Sequence, residues 1–131
     1  MDLKIKNQEE VMDASERVIR FCRDRGVDAR HTMPIGLCVE EIGVNIIKYG
    51  FTGNERTDRR KHAIDVRVVV EEDREYLRIR DNCANFDPLK YVDLHRNDDP
   101  ASHIGLRMVM GVVKEAVYVN SLGLNNLTLI L

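Results

Sequence analysis

Apolar positions recur along this chain with two periods, and the points where one gives way to the other mark its elements. Leu3 and Ile5 alternate with Lys4 and Lys6, the two-residue period of a short edge strand. From Gln8 the period lengthens: Val11, Ala14, Val18, Phe21 and Cys22 form a helical stripe, and Gly26, just past Arg25, is a stop signal. Residues 27–32 read as a linker into a second helix with Pro34 in its first turn, running to about Tyr49 and closed by Gly50. Its core face is Ile35, Val39, Ile42 and Ile46. Residues 51–61 read as a polar connector with Gly53-Asn54 as its turn. Two strands follow, 62–70 with Ile64, Val66, Val68 and Val70 on one face, and 76–80, joined by the polar turn Glu71-Glu72-Asp73. Residues 81–102 show little periodicity and contain Pro88 and Pro100. An irregular segment of that length inside a compact domain points to function or mobility. Helical spacing resumes from Gly105 to about Lys114 through Leu106, Val109, Met110 and Val113, and two last strands, 116–120 and 126–131, are joined through residues 121–125.

This order predicts an α+β fold, a two-layer α/β sandwich with helices on one face of a mixed, mostly antiparallel sheet. With 131 residues the chain reads as one domain, 1–131. Its net charge of −2, with both signs interspersed, leaves no footprint for nucleic acid, and the basic cluster at 56–61 reads as a solvated loop. Cys22, Cys38 and Cys83 are odd in number and lack ligand-like spacing, so they read as reduced thiols, two of them in the core. No run of 18 apolar residues or leader pattern is present, and the expectation is a cytoplasmic protein without a membrane partner.

Beside the core face of the second helix runs a polar stripe of Cys38, Glu41, Asn45 and Lys48, bordered by Leu37 and Val44. Residues four apart share a face, so Glu41 and Asn45 point the same way. Two readings stand: a solvated helix face with a capping or salt-bridged Glu, or a half-desolvated carboxylate and amide waiting for water and a metal ion. Asp81, leaving a strand into Asn82-Cys83-Ala84-Asn85-Phe86-Asp87, reads as an Asx-turn or as an acceptor for an exocyclic amine such as adenine's. The loop Ser102-His103-Ile104-Gly105-Leu106 places a glycine at a helix start, where free N–H groups favour anions.

In this order the three segments resemble the GHKL ATPase superfamily (gyrase B, the heat-shock chaperone ATPase, sensor histidine kinases, the mismatch-repair ATPase). Within it they resemble the small branch of anti-sigma-factor serine/threonine kinases. Residues 40–50 resemble its N box, Glu-x-x-x-Asn-Ala-x-x-His. Residues 81–88 resemble its Asp-x-Gly-x-Gly-Phe-Asp-Pro box, and residues 103–109 its Gly-x-Gly-Leu-x-Leu-Val box. The tail from Lys114 to Leu129 matches its closing hairpin. The resemblance spans essentially the whole chain and implies a Bergerat-type ATP-binding fold. It implies ATP and Mg²⁺ as cofactors, Glu41 as general base, Asn45 as Mg²⁺ ligand, and Asp81 as reader of the adenine amine. It further implies nucleotide contacts from Cys83, Asn85, Phe86, His103, Ile104, Gly105 and Leu106. The implied activity is phosphorylation of a Ser or Thr on an anti-sigma-antagonist-like protein by a homodimer, with a sigma factor as second client. Cys83 and Asn85 stand where that family has glycines, His103 replaces a third, and Lys48 or Tyr49 stands where it often has His. The alternative is a catalytically degenerate module that binds ATP or protein.

Overall fold

A computed structural model describes residues 1–51, 62–99 and 104–131. Strand β1 (Asp2–Ile5) leads into α1 (Gln8–Asp24), which is capped by Asn7 accepting from Glu10 N at 2.9 Å while Glu10 reaches back to Lys6 N at 2.6 Å. The helix ends as its sequence predicts: Gly26 adopts φ +79° and Val27 N bonds back to Cys22 O at 3.0 Å. Helix α2 (Ala29–Asn45) begins earlier than Pro34 suggests, because Asp28 caps it by accepting from Arg30 N at 2.8 Å. Pro34 therefore lies inside the helix beyond its first turn, where it removes one backbone donor. Asn45 is followed without a break by a π-helical turn, Ile46–Gly50.

Strands β2 (Ile64–Val70) and β3 (Glu75–Asp81) form the hairpin that the alternation predicts. The segment after β3 is more ordered than its aperiodic sequence indicates. Asp87 accepts from Leu89 N and Lys90 N, Pro88 takes the first helical position, and α3 (Pro88–Leu94) results. Helix α4 (Ile104–Val112) precedes β4 (Glu115–Ser121) and β5 (Leu124–Ile130). These last strands are longer than predicted, for their connection is a two-residue turn with Leu122 at φ 54° and Gly123 at φ 74°. A leucine in the left-handed region concealed a turn that Asn or Gly would have announced. The expected turn at Gly53-Asn54 and the basic cluster at 56–61 lie outside the described residues.

The sheet runs β1-β2-β3-β5-β4, and all four pairings are antiparallel. One row of alternating residues faces the helices: Ile64, Val66 and Val68 of β2, Leu77 and Ile79 of β3, Leu127 and Leu129 of β5, all buried. Removing a side chain such as Leu77 or Leu129 fully from water stabilises the fold by about 2 kcal/mol. Opposite them, Ile35, Val39 and Ile42 of α2 and Val11, Val18 and Cys22 of α1 close a two-layer α+β core. The two helices cross tightly at Gly36, whose carbonyl accepts from Ser15 Oγ at 3.0 Å and where an added Cβ would come 2.5 Å from Ile19. All three cysteines are buried, Cys38 among them, so the polar stripe of α2 begins only at Glu41. Among the described residues, no helix is long and apolar enough to cross a membrane.

At one end of the inward row two polar residues stand opposite each other. Asp81 and Asn125 are Cα partners at the end of the β3–β5 ladder, and both are buried. Where this row turns polar, the core gives way to a cavity.

Candidate active site

The cavity holds about 540 Å³, within the range of small-ligand sites. Its floor is apolar, with Ile79 and Leu127 from the sheet, Ile42 and Ile46 from α2 and the π turn, and Leu106 from α4. Phe86, Pro88 and Tyr91 wall one side, Phe86 and Tyr91 with ring centroids 5.4 Å apart. Glu41, Asn45, Asp81 and Asn125 supply polar groups along the wall.

At one end stands Asp81. Its Oδ1 accepts from Cys83 N and from Asn125 Nδ2, both at 2.9 Å. The first bond is the Asx-turn anticipated for an Asp leaving a strand. Asp81 also lines the cavity, so the Asx-turn does not exclude a role as acceptor. Asn125 Nδ2 also donates to Ala84 O at 3.0 Å, and Asn125 Oδ1 accepts from Tyr118 Oη at 2.6 Å and Asn120 Nδ2 at 3.0 Å.

Cys83 stands where the resembled family has glycine, and its side chain is accommodated from across the cavity. Its Sγ lies 3.6 Å from His62 Nδ1, and a Cβ on Gly50 would come within 2.9 Å of that sulfur. The missing side chain of Gly50 thus makes the room that Cys83 takes. Burial, reinforced by the Asp81 carboxylate, pushes the Cys83 thiol up to about 12. Neither Cys83 nor Asn85 adopts positive φ, so no left-handed backbone calls for glycine at either position. Asn85 acts instead through its side chain, its Oδ1 2.6 Å from the Tyr118 hydroxyl, whose proton burial helps to retain.

Glu41 lies on α2, a full α-helical turn before the π turn that ends at Gly50. With Asn45 one turn later it lines the same wall, and both side chains are half-buried. The Glu41 carboxylate rests against Gly105 in the first turn of α4, so closely that any side chain at 105 would collide with it. Gly105 is required for this approach. Arg107 fastens α4 to the end of α3 by donating to His95 O at 2.6 Å.

Residues 6–131 match the family model described as a histidine kinase-like ATPase domain. The chain belongs to that family. No curated protein matches it closely enough to add a relative. For a histidine kinase-like ATPase domain, membership implies binding of ATP, usually with Mg²⁺, and the cavity is of a form to fit it. An acceptor-only carboxylate beside apolar walls suits a flat ring bearing an amine, while an amide oxygen, a carboxylate and a glycine at a helix start suit phosphates and a hard cation.

Of the residues picked out in the sequence, Glu41, Asn45, Asp81, Cys83, Asn85, Phe86, Gly105 and Leu106 all line this one cavity. Ile104 does not; it is 58% exposed at the start of α4. His103 lies outside the described residues. The sequence reading missed Asn125, Tyr118 and Tyr91. Asn125 had a usable signal, for it shares the parity of Leu127 and Leu129 on a strand and so had to face inward. Tyr91 sat in a segment read as irregular.

Proposed function

We propose that this chain is an ATP-binding regulatory serine/threonine protein kinase, similar to anti-sigma factors, that phosphorylates a hydroxyl on a small antagonist protein. The observation that supports it most is the placing of Glu41 beside Asn45 on one wall, against the first turn of α4, with Asp81 at the far end. A pure binding module has no need of a carboxylate there. In this reading Asp81 accepts the adenine amine, and Gly105 with the α4 N-terminus holds phosphate. Asn45 holds Mg²⁺ through its side-chain oxygen. Among the described residues, no cluster of three or more His, Cys, Asp or Glu is placed to hold a metal. Mg²⁺ held there would supply charge neutralisation on the transferring group. Glu41 receives the proton of the attacking hydroxyl, which raises its nucleophilicity as it approaches phosphorus.

The reading extends to a homodimer acting in the cytoplasm on an anti-sigma-antagonist-like protein, with a sigma factor as second client. The sheet face turned away from the helices supports the dimer: Val69, Val117 and Val119 are exposed there, and the Nε atoms of Arg78 and Arg80 are buried without a partner. Cys83 and Asn85, standing where the family has glycines, favour the alternative, a degenerate module that binds ATP or protein without transferring phosphate. Calorimetric titration with ATP, with and without Mg²⁺, followed by γ-phosphate transfer assays on antagonist-like proteins, separates the two. Mg²⁺-dependent micromolar binding with transfer supports the kinase. Binding without transfer leaves the module, and no binding at millimolar ATP by folded protein sinks the kinase and leaves a module that binds protein.

A further inference from the structure

Asn125 is a buried amide with partners on every side. Its Nδ2 donates to Asp81 Oδ1 at 2.9 Å and Ala84 O at 3.0 Å, with Cys83 O at 3.4 Å. Its Oδ1 accepts from Tyr118 Oη at 2.6 Å, Asn120 Nδ2 at 3.0 Å and Phe86 N at 3.4 Å. Three of these partners, at 83, 84 and 86, belong to the loop that walls the Asp81 end. The Tyr118 hydroxyl also lies 2.6 Å from Asn85 Oδ1 of the same loop, so its one proton is shared between Asn85 and Asn125. A loop without glycine, running at ordinary φ, is thereby bound to the β4–β5 hairpin by side chains. The bonds to Asp81 have a direction as well. Cys83 N and Asn125 Nδ2 both engage Oδ1, so Oδ2 is the oxygen outside the clasp, on a residue that lines the cavity.

We infer that Asn125 and Tyr118 are positioning residues for base recognition: they hold loop 83–86 closed and fix the Asp81 carboxylate with Oδ2 toward the base. This rests on the nucleotide-binding reading above. A ligand amine meets an acceptor whose orientation is set in advance, and a 6-oxo purine meets the same lone pairs and is repelled. Without the clasp the carboxylate rotates and the loop opens, so the preference for a 6-amino base declines before binding of the triphosphate does.

The test compares Asn125→Leu, which conserves volume without hydrogen bonds, and Tyr118→Phe, which removes one hydroxyl, with the parent protein. Dissociation constants for ATP and for inosine triphosphate are measured with Mg²⁺. The ATP preference should fall about tenfold in Asn125→Leu, the scale of one or two lost hydrogen bonds, and a few-fold in Tyr118→Phe. Inosine triphosphate affinity should stay within about twofold. Equal weakening of both nucleotides, or an unchanged ratio, overturns the positioning role. Iodoacetamide labelling of Cys83 in ligand-free protein reads the clasp without any nucleotide. Cys83 is 8% exposed whereas Cys22 and Cys38 are 0%, so an opened loop accelerates Cys83 alone. If the parent binds neither nucleotide, the nucleotide reading fails and the recognition role with it; unchanged Cys83 labelling in both variants removes the clasp too. If Asn125→Leu does not fold, Tyr118→Phe decides on both readouts.

Discussion

At the Asp81 end of the cavity the polar groups are joined to one another, with Asp81, Asn125, Tyr118, Asn120 and the backbone of loop 83–86 in one network. At the Glu41 end, neither the Glu41 carboxylate nor the Asn45 amide makes a hydrogen bond or ion pair among the described residues. The contrast suits the roles proposed for the two ends. A buried network fully satisfied within the protein is rigid, and rigidity is what shape and donor–acceptor recognition need. Groups that must bind a cation or take a proton are held half-buried without internal partners, so a ligand can replace water at little cost. In the proposed function, recognition is built in advance at one end, and the capacity for chemistry is left open at the other.

The largest effect should come from the open end. Glu41→Gln retains the shape and removes the proton acceptor. Phosphate transfer should fall by about 10²–10⁴-fold, the usual contribution of a general base, while the ATP dissociation constant changes little. Single-turnover transfer assays beside calorimetry check this. Parallel losses in binding and transfer would mean that Glu41 only helps to hold the nucleotide.

The closed end makes a different prediction. Asp81→Asn can keep its amide oxygen on Cys83 N and Asn125 Nδ2, which turns the new NH₂ group toward the cavity. The fold should persist, ATP affinity should drop about 10–100-fold, and the preference over a 6-oxo nucleotide should narrow or invert. Thermal unfolding with competitive titration of ATP against GTP reads both. Unfolding of the variant would show that the charge itself stabilises the end of β3.

How much of this contrast was legible in the chain depends on whether a residue's role is local or long-range. Glu41 and Asn45 are one turn apart on an apolar helix, and Asp81 ends an alternating strand, so their faces followed from period alone. The two-layer sandwich with helices on one face likewise followed from alternation and length, although the sheet is antiparallel throughout and not mixed. The compensation of Cys83 by Gly50 did not, because it joins the end of α2 to a loop more than thirty residues later. Nor did the role of Tyr118, which depends on how an edge strand comes to lie beside the loop after β3. Helix α3 was missed for another reason: Asp87-Pro88 is a cap and a first-turn proline, but the seven residues of the helix are too few to show a period.

The pairing of Gly50 with Cys83 gives the next test. Gly50→Ala brings a methyl within 2.9 Å of Cys83 Cβ and Sγ, so the loop or the π turn must shift. Overpacking of this kind costs about 1–3 kcal/mol, and Cys83→Gly in the same chain should recover most of it. Denaturant unfolding of the two single variants and the double variant measures the coupling. Simple additivity would mean that the two positions do not compete for one space.

The smallest effect, and the one that tells the buried core from the closed end, is alkaline stability. Burial and the charge of Glu75 push the Cys22 thiol up to about 11, burial pushes Cys38 up to about 12, and burial with Asp81 does the same for Cys83. In the unfolded chain all three ionise near pH 9. Above that pH the unfolded state releases protons that the folded state retains, so it gains free energy relative to the folded state. Stability is therefore complete below about pH 9 and declines as pH rises toward the folded values. The slope is on the order of 1 kcal/mol per pH unit for each thiol. Between pH 9 and 10, Cys83→Ala should reduce the measured slope by about one thiol's share. Asp81→Asn should reduce it by less, because the carboxylate is the second cause of the Cys83 shift and burial the first. If Asp81→Asn alone flattens the Cys83 contribution completely, charge and not desolvation governs this end of the cavity. The closed end would then be an electrostatic device more than a packed one.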